Sequence, residues 1–409
     1  MNEERNFKVI YNPNARIDAE VKGLNVKDTE QVRAFHKSVP SYEETPLVPL
    51  NDLAKRLGVK GIYAKDESKR FGLNAFKGLG GIYALSRIAC ETLGLSIENT
   101  RFTDLKASKD KGRLQNMVFV TATDGNHGKG VAWAASQLGC QSHVYMPKGS
   151  SEIRAQAIRD AGATEVKITD MGYDDAVRYA WNMSKERGWV LVQDTSLPGY
   201  EKVPFWIIQG YTTMVYEALE HLNEQNVKPT HVFLQAGVGA MAGAVTGFLA
   251  GYYGKERPKI AIVEPEGAAC IYESARIGDG KPHAATGNGR TIMAGLNCGE
   301  PCPITWPILR DCADAYMCFP DYVAARGMRI YASPLGTDAK VISGESGAST
   351  MGAFSLVMES PKLSGVKERL GLDGESVVLL FNTEGDTDPI SYRRIVYDGA
   401  YPTPNSLFE

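Results

Sequence analysis

Apolar runs rich in β-branched residues alternate with segments of helical period along most of the chain. The pattern predicts strands at residues 116–121, 141–146, 164–168, 189–193, 231–235, 259–263 and 376–381, and helices at 127–138, 151–161, 173–187 and after 203. Strands that alternate with helices form parallel sheets covered by helices on both faces. We therefore predict an α/β protein whose ligand site lies beyond the carboxyl ends of its strands.

Residues 232–254 contain no charged side chain and are long enough to suggest a membrane span. The segment starts, however, as a short Val-Phe-Leu strand, breaks at Gly237 and continues as a helix of small residues. A buried strand, loop and helix explain it, so we expect no membrane partner. A second unusual segment, 278–297, interrupts the alternation, and we expect a long loop near a site there.

The composition narrows the remaining classes of protein. Of the 409 residues, 45 are basic and 48 are acidic, and a net charge of −3 argues against nucleic acid as the partner. The first residues lack an apolar run, so we expect no secretory signal, and seven cysteines fit a reducing cytoplasm. We also expect no metal, because zinc sites use other spacings than those of Cys298, Cys302, Cys312 and Cys318.

The predicted strand at 116–121 leads into a polar turn, Thr-Asp-Gly-Asn-His-Gly, at residues 123–128. A helix that begins near His127 would direct its first backbone N–H groups and the positive end of its dipole at a bound anion. A site for a small carboxylate or phosphate is therefore one interpretation. A helix cap by Asp124 or Asn126 is the other, and the turn alone leaves both open.

A second glycine-rich turn at residues 235–243 follows the predicted strand at 231–235. Gly237, Gly239 and Ala242 fit the dinucleotide-binding fingerprint, and Glu264 lies where a ribose-binding acid would lie. A nicotinamide or flavin site is thus one interpretation. The same turn could instead hold a single phosphate, and the motif does not decide between them.

Lys77 lies between Phe76 and Gly78, at the start of an apolar helical run. Most lysines are solvated surface groups, and that interpretation stays open for Lys77. A lysine in an apolar pocket can instead lose its charge and form a Schiff base with a carbonyl ligand.

In their order along the chain, these motifs resemble those of the fold-type-II pyridoxal-phosphate enzymes, the group of threonine dehydratase and tryptophan synthase β-chain. Within that group, the chain is similar to the diaminopropionate ammonia-lyases over nearly its whole length. The resemblance rests on KDESKRFGLNAFKGLGG, TATDGNHGKG, VQDTSLPGYEKVP, QAGVGAMAG, VEPEGAAC, SGESGAS and FNTEGDTDP. Several ordered motifs are far more specific than one glycine-rich turn.

The resemblance implies an α/β fold with two open parallel-sheet domains of tryptophan synthase β-like architecture. Residues 1–85 and 230–409 are expected to form a larger, discontinuous domain, and residues 86–229 a smaller domain that closes on the substrate. The resemblance also implies pyridoxal 5'-phosphate as the cofactor, an amino acid as the substrate, and a homodimer in the cytoplasm.

Site residues follow from the resemblance by position. Lys77 matches the Schiff-base lysine, and Asn126 matches the residue that hydrogen-bonds the phenolic oxygen of the cofactor. Thr383 matches the hydroxyl residue at the pyridine nitrogen, where a neutral group favours elimination over racemisation, and Glu345 matches a residue facing the ring. The phosphate loop is expected to comprise Gly237, Val238, Gly239, Ala240 and Gly243. The substrate carboxylate is expected at Thr123, Gly125, His127 and Gly128.

Asp124 departs from general dehydratases, which carry Ser or Ala at that place. A carboxylate there can bind an ammonium group or move a proton, which suits a substrate with a second amine. Asp194, at another strand end, is a second candidate acid, although a cap or surface role stays open for it. The implied reaction is α,β-elimination of D- and L-2,3-diaminopropionate to pyruvate and two ammonia. Lys77 and Asp124 would be the bases for the two isomers, and Lys77 or Asp194 the acid.

Three other functions stay open on the sequence alone. A serine or threonine dehydratase of the same fold would use Asp124 differently. A nicotinamide-dependent dehydrogenase would use the fingerprint glycines and Glu264. A non-catalytic amino-acid sensor would keep the fold but would have no need of Lys77.

Overall fold

Two separate sheets organise the chain. The structure is a computed structural model that describes residues 7–16, 21–108 and 111–409. The strands are β1 (Lys8–Tyr11), β2 (Leu47–Pro49), β3 (Gly61–Asp66), β4 (Val118–Ala122), β5 (Gln141–Met146), β6 (Glu165–Ile168), β7 (Val190–Leu191), β8 (His231–Gln235), β9 (Lys259–Pro265), β10 (Ala315–Phe319) and β11 (Val377–Asn382).

Helices cover these sheets and connect the parallel strands. They are α1 (Val26–Lys37), α2 (Asn51–Leu57), α3 (Gly78–Leu93), α4 (Phe102–Ala107), α5 (Lys111–Gln115), α6 (Asn126–Leu138), α7 (Glu152–Asp160), α8 (Tyr173–Arg187), α9 (Lys202–Glu224), α10 (Ala240–Tyr253), α11 (Cys270–Ile277), α12 (Trp306–Cys312), α13 (Tyr322–Ala332), α14 (Glu345–Glu359), α15 (Ser364–Leu370) and α16 (Pro389–Val396).

The larger sheet has the strand order β1-β10-β9-β8-β11-β3-β2. Its five central strands run parallel, whereas β1 and β2 pair antiparallel with β10 and β3 at the two edges. Every residue of β8, β10 and β11 is buried, as expected for strands covered on both faces. The smaller sheet, β6-β5-β4-β7, is parallel throughout.

The predicted strands and helices are confirmed, and β5, β8 and α8 have the predicted limits. The prediction missed β1, β2, β3 and β10. The first two are short edge strands, and β10 is an apolar run too short to be told from a helical segment. Strand β3 contains Lys65 and Asp66, which are buried because Glu217 and Asn382 pair with them from other elements.

The predicted fold class is confirmed, while the domain limits at residues 85 and 230 stay a prediction. The smaller sheet takes its strands from residues 118–191, and the larger sheet takes its strands from both flanks. This arrangement is what a discontinuous larger domain requires. Within the predicted ranges, residues 1–6, 17–20 and 109–110 lie outside the described residues, as does the start of the segment examined for a secretory signal.

The two unusual segments have the expected forms. Residues 232–254 form β8, a turn and α10, so the strand–loop–helix interpretation is confirmed. Across the described ranges, no helix combines the length and the apolarity needed to cross a membrane. Residues 278–297 form a long loop with one 3₁₀ turn at Ala294–Leu296, and the end of this loop reaches the cavity described below.

Helix α3 is buried along nearly its whole length, and glycines allow its neighbours α6 and α9 to touch it. A Cβ on Gly210 of α9 would lie 2.7 Å from the Cα of Gly80 in α3. A Cβ on Gly130 of α6 would lie 3.0 Å from the carbonyl carbon and oxygen of Lys77. Lys77 is therefore held in place by backbone contact with a helix that packs on the smaller sheet.

Replacement of Gly130 by alanine tests this contact. Because the new methyl group meets backbone rather than a flexible side chain, we expect the free energy of unfolding to fall by about 1–3 kcal/mol. Gly365→Ala is the matched control, since Gly365 lies in α15 with nothing within 4 Å of its added Cβ. It should be neutral or stabilising by up to about 1 kcal/mol. Urea denaturation measures both, and equal stabilities would contradict the close packing.

Candidate active site

The carboxyl ends of strands from both sheets open onto one cavity. Its walls are the segment before α3, the turns after β4, β7, β8 and β11, and the end of the long loop. Most of the predicted site residues line it: Lys77, Thr123, Asp124, Asn126, His127, Asp194, Gly237, Val238, Gly239, Ala240 and Thr383. The fold therefore collects in one place residues that are as far apart in sequence as Lys77 and Thr383.

Lys77 immediately precedes α3 and forms an ion pair with Asp194, in which the Lys77 side chain is 16% exposed and the Asp194 side chain 2%. Its Nζ donates a hydrogen bond to Oδ2 of Asp194 and lies 5.4 Å and 5.8 Å from the ring centroids of Phe76 and Tyr211. Burial alone would lower the Lys77 pKa, but the adjacent Asp194 carboxylate outweighs it, so the pKa is raised. The Phe76 N–H donates to the carbonyl oxygen of Thr383 at 3.0 Å, which attaches this segment to the end of β11.

Asp194 is ionised and buried, which excludes the surface role left open by its sequence. Burial raises its pKa, but the adjacent Lys77 ammonium group overcomes that effect and lowers the pKa to about 2. The His127 ring is fixed by a 2.9 Å hydrogen bond from Nε2 to the Val192 carbonyl, and its Nδ1 lies 3.8 Å from Asp194 Oδ2. Burial lowers the His127 pKa, so the ring is neutral and Nδ1 is an acceptor.

Asp124 has the opposite electrostatic environment. Burial raises its pKa to about 7, although Arg154 and Lys77 partly counteract the effect. Within the described chain, its Oδ2 atom is buried without a hydrogen-bond partner. A carboxyl group with a pKa near neutrality can both take up and release a proton, so Asp124 is suited to acid–base chemistry.

The predicted phosphate loop lies at the N-terminus of α10. Gly239 has φ of 89°, and α10 begins at the next residue, so the N–H groups of its first turn face the cavity without partners in the helix. A Cβ on Gly237 would lie 3.2 Å from Cys298 Sγ and from the Gly295 carbonyl. This turn provides backbone donors and the positive end of a helix dipole, as a phosphate group requires.

Thr383 is oriented by Gln235, which ends β8. The Gln235 Nε2 donates to the carbonyl oxygen of Phe381 at 2.9 Å and to Thr383 Oγ1 at 3.0 Å. The carbonyl oxygen of Ser346 also lies 3.3 Å from Gln235 Nε2. Because carbonyl oxygens only accept hydrogen bonds, the amide nitrogen of Gln235, and not its amide oxygen, must point toward them. The Thr383 oxygen is thus an acceptor toward Gln235, and its own hydrogen can be donated to a ligand.

Asn126 and Glu384 form a second polar pair at the cavity. Asn126 Nδ2 donates to Glu384, whose other carboxylate oxygen accepts from the Ser346 N–H at 2.9 Å. Glu384 and Gln235 were not predicted as site residues from the sequence. Both lie inside the family motifs FNTEGDTDP and QAGVGAMAG, and a polar residue directly at a strand end is the signal that could have found them.

Four predicted site residues do not line the cavity. Gly125 and Gly128 shape the turn behind Thr123: the Gly125 N–H donates to Thr123 Oγ1 at 2.9 Å, and a Cβ on Gly128 would lie 2.3 Å from Thr123 Cγ2. Gly243 faces Thr305, whose Cβ would lie 2.5 Å from an added Cβ. Glu345 begins α14 and its side chain lines a separate cavity. Their predicted contacts with ligands stay predictions.

Glu264 has a structural role that opposes the dehydrogenase interpretation. Its two carboxylate oxygens accept from the N–H groups of Ile271 and Tyr272 at 2.8 Å and 2.6 Å, in the first turn of α11. The side chain is fully buried, and burial raises its pKa to about 8. Glu264, which the sequence offered as a ribose ligand, therefore caps helix α11 instead.

The polar atoms in the cavity fit the implied cofactor. Within the described chain, Asp124 Oδ2, His127 Nδ1, Asp194 Oδ1, Gln235 Oε1 and Ser346 Oγ are buried without hydrogen-bond partners, and all five residues line the cavity. Buried polar atoms are normally paired, so this concentration indicates a polar ligand. A lysine whose amine can pass its proton to Asp194, a helix N-terminus that suits an anion, and a donor hydroxyl match the aldehyde, phosphate and pyridine nitrogen of pyridoxal phosphate. Among the described residues, no cluster of His, Cys, Asp or Glu suits a metal ion.

The Lys77–Asp194 pair can be tested in the cofactor-free protein by a double-mutant cycle. Asp194→Ala leaves a largely buried ammonium group unpaired, so we expect it to cost about 3–5 kcal/mol in the free energy of unfolding. The Lys77→Ala/Asp194→Ala variant should recover part of that loss. The exposed pair Arg178–Asp175, at 3.2 Å, is the control and should show a coupling below about 1 kcal/mol. Equal couplings for the two pairs would contradict this assignment.

Comparison with known proteins agrees with this geometry. Residues 39–380 match the family described as "Pyridoxal-phosphate dependent enzyme". The match spans most of the chain, and the cofactor that the family description names is the one that the polar groups of the cavity fit. The fold and the site thus define a pyridoxal-phosphate-dependent enzyme of fold type II.

More specific similarity comes from individual proteins. Diaminopropionate ammonia-lyase of Salmonella typhimurium is 51% identical over 378 residues, which cover 92% of this chain and 93% of that protein. The crystal structure of diaminopropionate ammonia lyase from Escherichia coli in complex with D-serine has a TM-score of 0.91 at 46% identity and covers 97% of this chain and 98% of that one. Its complex with an aminoacrylate-PLP azomethine reaction intermediate has a TM-score of 0.89 at 45% identity, with the same coverage. The chain belongs to the diaminopropionate ammonia-lyase family.

The dehydratases are more distant relatives. L-threonine dehydratase of Haemophilus influenzae is 27% identical over 240 residues, which cover 58% of this chain and 39% of that protein. The motifs shared with that group therefore support the common fold more strongly than a common substrate.

Proposed function

We propose that this protein catalyses the pyridoxal-phosphate-dependent α,β-elimination of D- and L-2,3-diaminopropionate to pyruvate and two ammonia. The observation that carries this proposal is the cavity that brings Lys77 together with two carboxyl groups, Asp124 and Asp194, whose pKa values are shifted in opposite directions. Asp194 is held ionised, with a pKa near 2, while Asp124 has a pKa near 7. Elimination of an amine needs both a proton acceptor at Cα and a proton donor at the leaving group.

The proposed cofactor contacts follow the cavity walls. Lys77 would hold the aldehyde carbon covalently, the first N–H groups of α10 would bind the phosphate, and Thr383 would donate to the pyridine nitrogen. Asn126 would hydrogen-bond the phenolic oxygen. When bound, pyridoxal phosphate withdraws electrons from the substrate Cα and makes its proton acidic.

The residues of the chain would move the protons. The Lys77 amine takes the Cα proton of one isomer, which we assign as L, and Asp124 takes it from the opposite face of the D isomer. Lys77 gives a proton to the β-amine, which leaves as ammonia when the Cβ–N bond breaks, while the ionised Asp194 holds the Lys77 Nζ in position. The released aminoacrylate then reacts with water to give pyruvate and the second ammonia.

Oligomeric state and location are proposed from the family resemblance and the composition. We propose a homodimer in the cytoplasm, in keeping with seven free cysteines in the described chain, all buried. Analytical ultracentrifugation of the holoenzyme measures the oligomeric state.

The first test combines spectroscopy with product analysis. The protein loaded with pyridoxal phosphate should absorb near ~410–420 nm, because Lys77 is expected to bind the aldehyde, and Lys77→Ala should lose this band. Addition of 2,3-diaminopropionate should then give pyruvate much faster than serine does. A protein that forms no such band would contradict the cofactor role of Lys77, and faster turnover of serine would favour the dehydratase alternative.

The role of Asp124 is tested with the two isomers separately. Asp124→Asn removes the proposed base, so we expect the rate on the D isomer to fall by at least about 100-fold, and that on the L isomer far less. In the unsubstituted enzyme the D-isomer rate should also fall as the pH drops through about 7, because protonated Asp124 cannot accept a proton. Asp175→Asn, at an exposed position of α8, is the control. Full activity of Asp124→Asn on the D isomer would exclude the proposed role.

A further inference from the structure

A second cavity, of about 270 Å³, adjoins the reaction cavity, and we call it the outer cavity. Asp124 lines both of them. Two short segments form the wall between the cavities. In the first, Gly295 and Leu296 face the reaction cavity while Ala294 and Asn297 face the outer one. In the second, Ser346 faces inward and Glu345 faces outward, so Asp124 lies where the two cavities meet.

The outer cavity carries charges of both signs. Its described lining includes three cationic side chains, Lys148, Arg154 and Arg394, and three carboxyl side chains, Asp124, Glu345 and Asp388. Cationic and carboxyl side chains that line one confined space are complementary to a zwitterion rather than to a simple anion or cation. An α-amino acid is such a molecule, and 2,3-diaminopropionate carries a second amine.

Arg154 and Glu345 face each other across this cavity. Arg154 belongs to α7, which packs on the smaller sheet, and Glu345 begins α14, which packs on the larger sheet. Their side chains are 11% and 4% exposed, and Arg154 Nη2 lies 3.9 Å from Glu345 Oε2. That separation exceeds hydrogen-bond length, so the two side chains attract each other electrostatically without forming a hydrogen bond.

Both side chains are held from behind. Glu345 Oε1 accepts a hydrogen bond from Ser391 Oγ at 2.5 Å. The Arg154 stem packs on the turn at Gly125, where Cδ lies 3.3 Å from an added Cβ. Ser391 thus positions Glu345, and the turn at Gly125 positions Arg154. Either charged group can exchange the other for a ligand and still keep this supporting contact.

We propose that the outer cavity is a substrate-access subsite, in which Arg154 binds the carboxylate and Glu345 the second ammonium group of a diamino acid. Separation of Arg154 from Glu345 then admits the substrate past Asp124. This inference rests on the proposed function and adds to it a source of selectivity. Because Glu345 attracts a cation, the subsite favours a β-ammonium group over a β-hydroxyl group.

Steady-state kinetics on 2,3-diaminopropionate and serine test the subsite in the holoenzyme. Glu345→Gln keeps the shape but removes the charge, so kcat/KM for 2,3-diaminopropionate relative to serine should fall about tenfold. Glu345→Asp should restore part of the selectivity. Arg154→Gln should raise KM about tenfold or more for both substrates, with a much smaller change in kcat, because both carry the carboxylate. Arg159→Gln, on the same helix and paired with Glu152, is the control.

The outcomes separate this proposal from the proposed function. If the unsubstituted enzyme does not eliminate ammonia from 2,3-diaminopropionate, the proposed function is wrong whatever the variants do. If it does, but Glu345→Gln changes both substrates equally, the subsite is wrong. A loss in kcat rather than KM for Arg154→Gln would likewise overturn it, since Arg154 would then act on the chemistry of Asp124. The cofactor absorption band of each variant shows whether its site has assembled, and each of the two positions tests the proposal independently.

Discussion

The ion pair between Lys77 and Asp194 is the interaction on which the site depends. Lys77 precedes α3 and is attached to the end of β11 in the larger sheet, whereas Asp194 follows β7 in the smaller sheet. The pair therefore joins the two layers at the carboxyl ends of their strands. Because Asp194 is buried and the Lys77 side chain is only 16% exposed, loss of either partner leaves the other charge poorly solvated. The two sheets therefore form this site only in a defined relative arrangement. The glycine contacts of α3 fix the lysine backbone at the same point.

Two aspartates near the same lysine acquire different chemical properties from their surroundings. Direct contact with Lys77 keeps Asp194 ionised, while Asp124 lacks such a partner and burial raises its pKa toward neutrality. Separated pKa values in paired carboxyl groups allow one group to hold charge while the other exchanges protons. Arg154 lies on the outer side of Asp124 and connects this proton-exchanging group to the proposed access subsite.

Much of the fold could be predicted from the chain because period and composition are local properties. The limits of β5, β8 and α8 agree with the prediction, since glycine or polar residues bound each of these three segments. Strand β3 was missed because Lys65 and Asp66 resemble surface residues until Glu217 and Asn382 are brought to them. The sequence likewise offered Glu264 as a ribose ligand, and only the position of α11 identifies it as a helix cap.

The sequence by itself determined the parallel α/β architecture, the two polar and glycine-rich turns at strand ends and, through ordered motifs, the family and the lysine predicted to bind its cofactor. These features depend on residue types at short spacings, which are visible along the chain. The tertiary structure alone decided which carboxyl group pairs with Lys77, which one titrates near neutrality, how Gln235 turns Thr383, and that Glu345 faces Arg154. These properties arise from burial and from contacts between residues far apart in sequence, and the energy of a charge depends on that environment rather than on the residue's identity.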